Sequence, residues 1–237
     1  MKQIFAIGKG QVEVEIPDNN VMDVLHANLP DIPLDEQNTI KNALENPIGS
    51  PRLSEIVKPG EKVVIVTSDI SRPMPSYKVL PAVLEEIKSA GVPNEDVSIV
   101  LALGSHRGHT DEEKKKLCGE EVFNNYRILD SNGEMVHLGY TANGTPVDVY
   151  KPVAEADKVV CLGNIEYHYF AGYSGGMKAI MPVFPPGKPS RKTIPAWWTR
   201  QRQPGRSKAT RCVQTLIPYV SLFPLLSSST WCWMNTR

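Results

Sequence analysis

The sequence predicts an α/β fold built on an open, mostly parallel sheet, and two observations carry that prediction. Residues 62–67, 97–103 and 157–162 are short apolar runs, rich in Val and Ile at their centres. Such runs suit strands buried on both faces of a parallel sheet. Helical patterns follow the first two runs, and each run ends in a loop of polar and small residues, which is the βαβα order of parallel sheets.

Taken in order, residues 2–7 and 11–16 alternate apolar and polar around Gly8-Lys9-Gly10 and predict a β-hairpin. Residues 35–45 read as a polar helix that stops before Pro47. Pro59-Gly60 marks a turn, and strand 62–67 then delivers Ser68-Asp69-Ile70-Ser71-Arg72-Pro73 at its carboxyl end. The next helix spans about 77–90 by the same reading, with Pro81 accommodated only in a first turn and Gly91 as its stop. Strand 97–103 delivers Gly104-Ser105-His106-Arg107-Gly108-His109-Thr110, and Thr110-Asp111-Glu112-Glu113 opens a further helix as a capping box. Residues 127–150 alternate in short segments broken by Ser131-Asn132-Gly133 and Asn143-Gly144, the pattern of hairpins. Strand 157–162 runs into residues 167–178, a stretch holding one imidazole, a small-residue turn and one lysine. The expected architecture is a Rossmann-like open sheet with helices on both faces. Ligands bind such sheets beyond the carboxyl ends of the strands, where the loops holding Asp69 and Arg72, His106, and His168 converge.

The net charge of zero hides a division. Residues 1–166 hold all 26 acidic and 16 of the 26 basic side chains, and residues 167–237 hold ten basic and no acidic ones. A basic end after an acidic body suits nucleic acid, but no motif of a nucleic-acid module accompanies it, so no nucleic-acid partner is expected. No apolar run is long enough to span a bilayer, the first residues lack a signal-peptide pattern, and the four cysteines lack paired spacing. A cytoplasmic protein is expected, with neither membrane partner nor disulfide framework.

Two readings stand for each candidate residue. Asp69 and Arg72 form either a local ion pair before Pro73, or a substrate site in which Arg72 grips a carboxylate bidentately while Asp69 holds a neighbouring group. His106 is a solvated loop histidine or a general base on a glycine-flanked loop. His26, His109 and His137 lack comparable support and read as surface residues. Gly172-Tyr173-Ser174-Gly175-Gly176 matches the G-x-S-x-G nucleophile elbow, but no acid or histidine follows it in the chain. Its glycines suit either a tight turn or the approach of backbone N–H groups to a phosphate. Lys178 lies four residues beyond Ser174. Gly187-Lys188 is no Walker A lysine, because position 182 is Pro and Pro189 follows.

Three of these segments in order, Ser68-Asp69-Ile70-Ser71-Arg72-Pro73, Gly104-Ser105-His106-Arg107 and the run from His168 to Lys178, resemble the nickel-pincer-nucleotide-dependent lactate racemases and related 2-hydroxyacid racemases and epimerases. The likeness covers residues 2–181, with Ser190-Arg191-Lys192-Thr193-Ile194 as a late fragment. The resemblance implies an isomerase of two α/β domains with its site between them, this chain containing mainly the first. It implies His106 and His168 as the two acid/base groups, Asp69 and Arg72 on the substrate side, and Lys178 as the covalent anchor of the pincer nucleotide, beside Ser174, Gly175 and Gly176. A small 2-hydroxy acid is the implied substrate, and cofactor-maturation proteins are implied partners.

The chain departs from the family where a nickel-ligating histidine is expected after Ile194. Pro195-Ala196-Trp197-Trp198 stands there, and no histidine follows His168. That removes an imidazole donor suited to nickel. The expectation is a racemase-type domain over residues 1–194, an unrelated and out-of-frame tail over 195–237, no second domain, and no activity in this form. Reading each third codon base with the next two turns Trp197-Trp198-Thr199 into Val-Asp, and continues into a Lys-Ile-Glu-Gly-Asn-Pro-Val-Arg-like run that the family carries. A serine hydrolase using Ser174, and a non-catalytic nucleotide-binding remnant, are the alternatives.

Overall fold

The structure is a computed structural model that describes residues 1–25, 35–140, 146–168 and 172–180. It divides into two compact units, Met1–Asp35 and Glu36–Arg237.

In the first unit β1 (Lys2–Ile7) and β2 (Gly10–Glu15) form the expected hairpin, with Ile7 opposite Gly10. Gly8 adopts φ 60°, which a side chain would resist. The Met1 amine closes the unit by donating to Asp18 Oδ1 at 2.6 Å and to the Ile16 carbonyl at 2.9 Å.

The second unit begins with α1 (Glu36–Glu45) and α2 (Leu53–Ile56), followed by β3 (Val63–Ser68), α3 (Ser76–Ser89) and β4 (Val97–Ala102). Next come α4 (Asp111–Cys118), α5 (Glu120–Asn125), β5 (Arg127–Asp130), β6 (Met135–Tyr140), β7 (Pro146–Tyr150), α6 (Lys151–Ala154) and β8 (Lys158–Cys161). A short ribbon of β9 (Tyr167–His168) and β10 (Gly172–Tyr173) precedes a 3-10 turn, Gly176–Ala179.

Four strands form a parallel sheet in the order β5-β4-β3-β8. The apolar runs have no polar alternation because both faces are covered. Val63, Ile65, Ile99 and Leu101 face the α1–α5 side with Leu80 and Ile87 of α3. Val64, Val66 and Val100 face Val147 and Val149 of β7, Val153 of α6, and Ile180 just past the 3-10 turn. The fold is therefore the expected open α/β sheet, with one helical face and one face covered by a hairpin and short helical turns.

Two local expectations are corrected. The stretch 127–150 holds one hairpin, β6–β7, whereas β5 pairs parallel to β4, with Ile99 beside Ile128. Ile128 packs on one apolar cluster and Leu129 on the other, and four residues of alternation cannot reveal which neighbour a strand will choose. Pro81 is the sixth residue of α3, beyond its first turn. It leaves the Tyr77 carbonyl without a helical donor. That loss is tolerable because Pro81 and Tyr77 lie on the exposed side of the helix, where a carbonyl is open to solvent.

The chain steps outward from β3 through β4 to β5, then returns to place β8 on the other side of β3. This reversal is the topological switch point of an open sheet. The loop after β3 and the loop after β8 flank it.

Candidate functional site

The site begins with two strands that must stop. β3 ends at Ser68 and the next residue, Asp69, keeps its side chain only 5% exposed. A buried carboxylate needs partners, and Asp69 has two. Its Oδ1 accepts from Ser71 Oγ at 2.7 Å, and its Oδ2 lies 2.5 Å from Nδ1 of His106. The turn is held by Arg72 N–H donating to the Asp69 carbonyl at 3.1 Å.

β4 supplies the imidazole. Past its end, Leu103 N–H donates to the buried Ser131 Oγ at 2.9 Å, and Gly104 takes φ 60°. His106 N–H then donates to the Leu103 carbonyl at 3.0 Å, closing a turn that presents the ring half-exposed. With a carboxylate against Nδ1, the neutral ring carries its proton there and turns the Nε2 lone pair outward. Ser71 Oγ also approaches Nδ1, at 3.3 Å. Such an arrangement, with one ring nitrogen fixed by a buried acid, can serve as an oriented base.

Arg72 is exposed and, among the described residues, makes no ion pair with Asp69. Of the two readings of that pair, the geometry removes the local ion pair. The adjacent Arg107 is bound elsewhere, its guanidinium gripping Glu113 at 2.8 and 2.6 Å. That grip, with the Thr110 N–H of the capping box, pulls the Glu113 carboxyl from 4.5 down to about 2.

On the other side of the switch, the 3-10 turn packs against both β3 and β8, and Ile180 behind it is fully buried. Lys178 is therefore carried half-buried on the two strands that flank the crevice, its N–H donating to the Gly175 carbonyl at 3.2 Å. Gly175 and Gly176 take φ 82° and 53°, backbone shapes that glycine permits. Ser174 Oγ accepts from Glu166 N–H and donates to the Asn164 carbonyl, both at 2.8 Å. Its only proton is thus spent on backbone, which argues against Ser174 as a nucleophile. His168 pairs in register with Gly172, but its side chain lies outside the described residues, as do residues 181–237.

Among the described residues no three His, Cys, Asp or Glu side chains gather as a metal site. They supply a lysine and an oriented base rather than a nickel ligand set. No helix among them is long and apolar enough to cross a membrane.

Ser71, His109 and Asp130 escaped the sequence reading. His109, read as a surface residue, has a side chain only 2% exposed, with Nδ1 2.7 Å from Asp130 Oδ1. Its signal was faint. His109 lies on the same loop as His106, but its partner ends a strand that was read as part of a hairpin.

Comparison with known proteins follows the same lines. Residues 7–201 match the family model described as the lactate racemase N-terminal domain. The lactate racemase of Thermoanaerobacterium thermosaccharolyticum is 38% identical over 181 residues, which cover 74% of this chain and 42% of that protein. The lactate racemase of Lactiplantibacillus plantarum is 38% identical over 167 residues, covering 69% of this chain and 38% of that protein. The chain thus spans about two fifths of these relatives. The solved apoprotein of the T. thermosaccharolyticum enzyme superposes with a TM-score of 0.78 at 31% identity, over 94% of this chain and 53% of that one. A crystal structure of a Thermotoga maritima protein shares the fold, with a TM-score of 0.60 at 19% identity.

Proposed function

The chain belongs to the lactate racemase N-terminal domain family, and from that premise we propose that its residues form the acid/base half of a 2-hydroxyacid racemase or epimerase. The observation that carries the proposal is the buried Asp69 carboxylate fixed on His106 Nδ1 at the carboxyl edge of the sheet. That contact orients Nε2 to take the hydroxyl proton of a 2-hydroxy acid and to return it. Arg72, on the same turn, is a cation suited to the substrate carboxylate.

Inverting the α-carbon of such an acid by removing a proton would build a second negative charge beside the carboxylate. Removing hydride while a base takes the hydroxyl proton avoids this and leaves a neutral keto group. The nickel-pincer nucleotide implied by the family would supply the hydride acceptor. Lys178 is the amine suited to anchor it, beside the Gly175-Gly176 backbone. Inversion is completed when hydride returns to the opposite face of the keto carbon and a proton to its oxygen, and in that orientation a second base would supply the proton, the part assigned to His168. Each positioned proton transfer is worth on the order of 10²–10⁴ in rate. We further propose that this form is inactive on its own, since the histidine that the family uses for nickel has no counterpart after Ile194.

The test is expression of the 237-residue chain together with the cofactor-loading proteins of a lactate-racemising bacterium. Intact mass and nickel content are then measured, with lactate inversion followed by chiral chromatography. The expected result is a nucleotide adduct on Lys178, lost in Lys178→Ala, without turnover. An unmodified Lys178, in cells that load a full-length relative, refutes the cofactor assignment; inversion by this chain refutes the inactivity.

A further inference from the structure

We propose that His109 is a positioning residue, a second imidazole whose task is to hold the loop that carries Asp69 against His106. The inference rests on the reading of Asp69 and His106 as the acid/base pair.

The ring of His109 bridges two strand ends. Its Nδ1 lies 2.7 Å from Asp130 Oδ1 at the end of β5, and its own backbone N–H donates to Asp130 Oδ2 at 2.9 Å. On the far side of the ring, Nε2 accepts the N–H of Ile70 at 3.2 Å. Ile70 stands between Asp69 and Ser71, whose side chains meet His106 Nδ1 at 2.5 and 3.3 Å. The backbone amide that fixes the direction of both groups is therefore tied, through one imidazole, to a carboxylate two strands away.

Only one form of His109 satisfies both contacts. Nε2 must offer a lone pair to Ile70 N–H, so the ring proton must sit on Nδ1, facing Asp130. An imidazolium would set an N–H against an N–H and break the tie. The charged groups around the ring are Asp130 from β5 and, on α4, Lys114, whose Nζ lies 3.9 Å from Asp130 Oδ2, and Glu113. A histidine recruited merely to fill space has no need of this pairing. The Ile70 amide lies on an exposed turn and could otherwise bond water; here a side chain 2% exposed has been brought to it.

The experiment is ¹⁵N NMR on the 237-residue chain without substrate or cofactor. An N–H···N hydrogen bond transmits a ¹⁵N–¹⁵N coupling, so Ile70 N and His109 Nε2 should be coupled, and His109 should show the Nδ1–H tautomer. In His109→Phe the coupling disappears and the Ile70 amide exchanges roughly tenfold faster, as expected for loss of one hydrogen bond. The His106 ring also loses its preference for a proton on Nδ1. His109→Gln, whose amide oxygen reaches the place of Nε2, restores the Ile70 protection and the His106 signature. Absence of the coupling in the wild-type chain, or a folded His109→Phe whose His106 ring is unchanged, overturns the proposal. If His109→Phe does not fold, the wild-type coupling and His109→Gln decide. None of these readouts requires catalysis, and a negative result falls on His109 alone, because the pairing of Asp69 with His106 is judged separately by the His106 tautomer in Asp69→Ala.

Discussion

The loop bearing Asp69 and Arg72 is closed at its base by one hydrogen bond between two hydroxyls that are fully buried. Thr67 Oγ1 and Ser76 Oγ are 2.7 Å apart, and both residues are 0% exposed. Thr67 lies within β3 and Ser76 opens α3, so this bond joins the strand to the helix across the candidate site. Thr67→Val keeps shape and volume but leaves the Ser76 hydroxyl buried without its partner. Ser76→Ala does the converse. Each single change should cost about 1–3 kcal/mol, the desolvation penalty of an orphaned buried polar group. The double variant removes both polar groups together and should cost less than the sum of the singles by on the order of 1 kcal/mol or more. Urea unfolding followed by far-UV circular dichroism measures all four corners of this cycle, with an unchanged urea dependence as the check on the reference state. Strict additivity of the two single losses would refute the claim that these hydroxyls satisfy each other.

Three other outcomes follow from named contacts. Asp69→Ala deprives the His106 ring of its acceptor, so the ring should lose its preference for a proton on Nδ1, read from the ¹⁵N shifts of the imidazole nitrogens in wild type and variant. The Glu113 carboxyl, held down to about 2 by Arg107 and the Thr110 N–H, contributes stability that is complete above its ordinary value of 4.5 and is lost as pH falls from there toward 2. Melting temperatures of wild type and Glu113→Gln should therefore converge across that window and separate above it. Burial pushes the thiols of Cys118 and Cys161 up to about 12, so iodoacetamide at pH 8 should spare both in the native chain and modify both in denaturant, as read by peptide mapping.

Much of the framework was legible because local chemistry dictates it. The Val/Ile runs of β3 and β4 cannot be exposed without large cost, Gly91 can take a φ of 83° to stop α3, and Thr110 with Glu113 satisfies both ends of a capping box. These signals act within a few residues of one another, as do the three motifs that carry the family resemblance. Asp69, Arg72 and His106 could be singled out for the same reason, since each directly follows a recognisable strand.

What the sequence by itself determined, then, is the set of elements and the loops that carry chemistry. Only the tertiary structure decided that β5 leaves its expected hairpin to flank β4, that β8 lies on the far side of β3, that Ser174 spends its hydroxyl on Asn164 and Glu166, and that His109 is buried on Asp130. The physical reason is separation along the chain. Asp69 meets a ring 37 residues away, and the Ile70 amide meets one 39 residues away. A side chain's partner at that distance is chosen by strand order and the packing of the sheet's two faces, neither of which leaves a periodicity in the sequence.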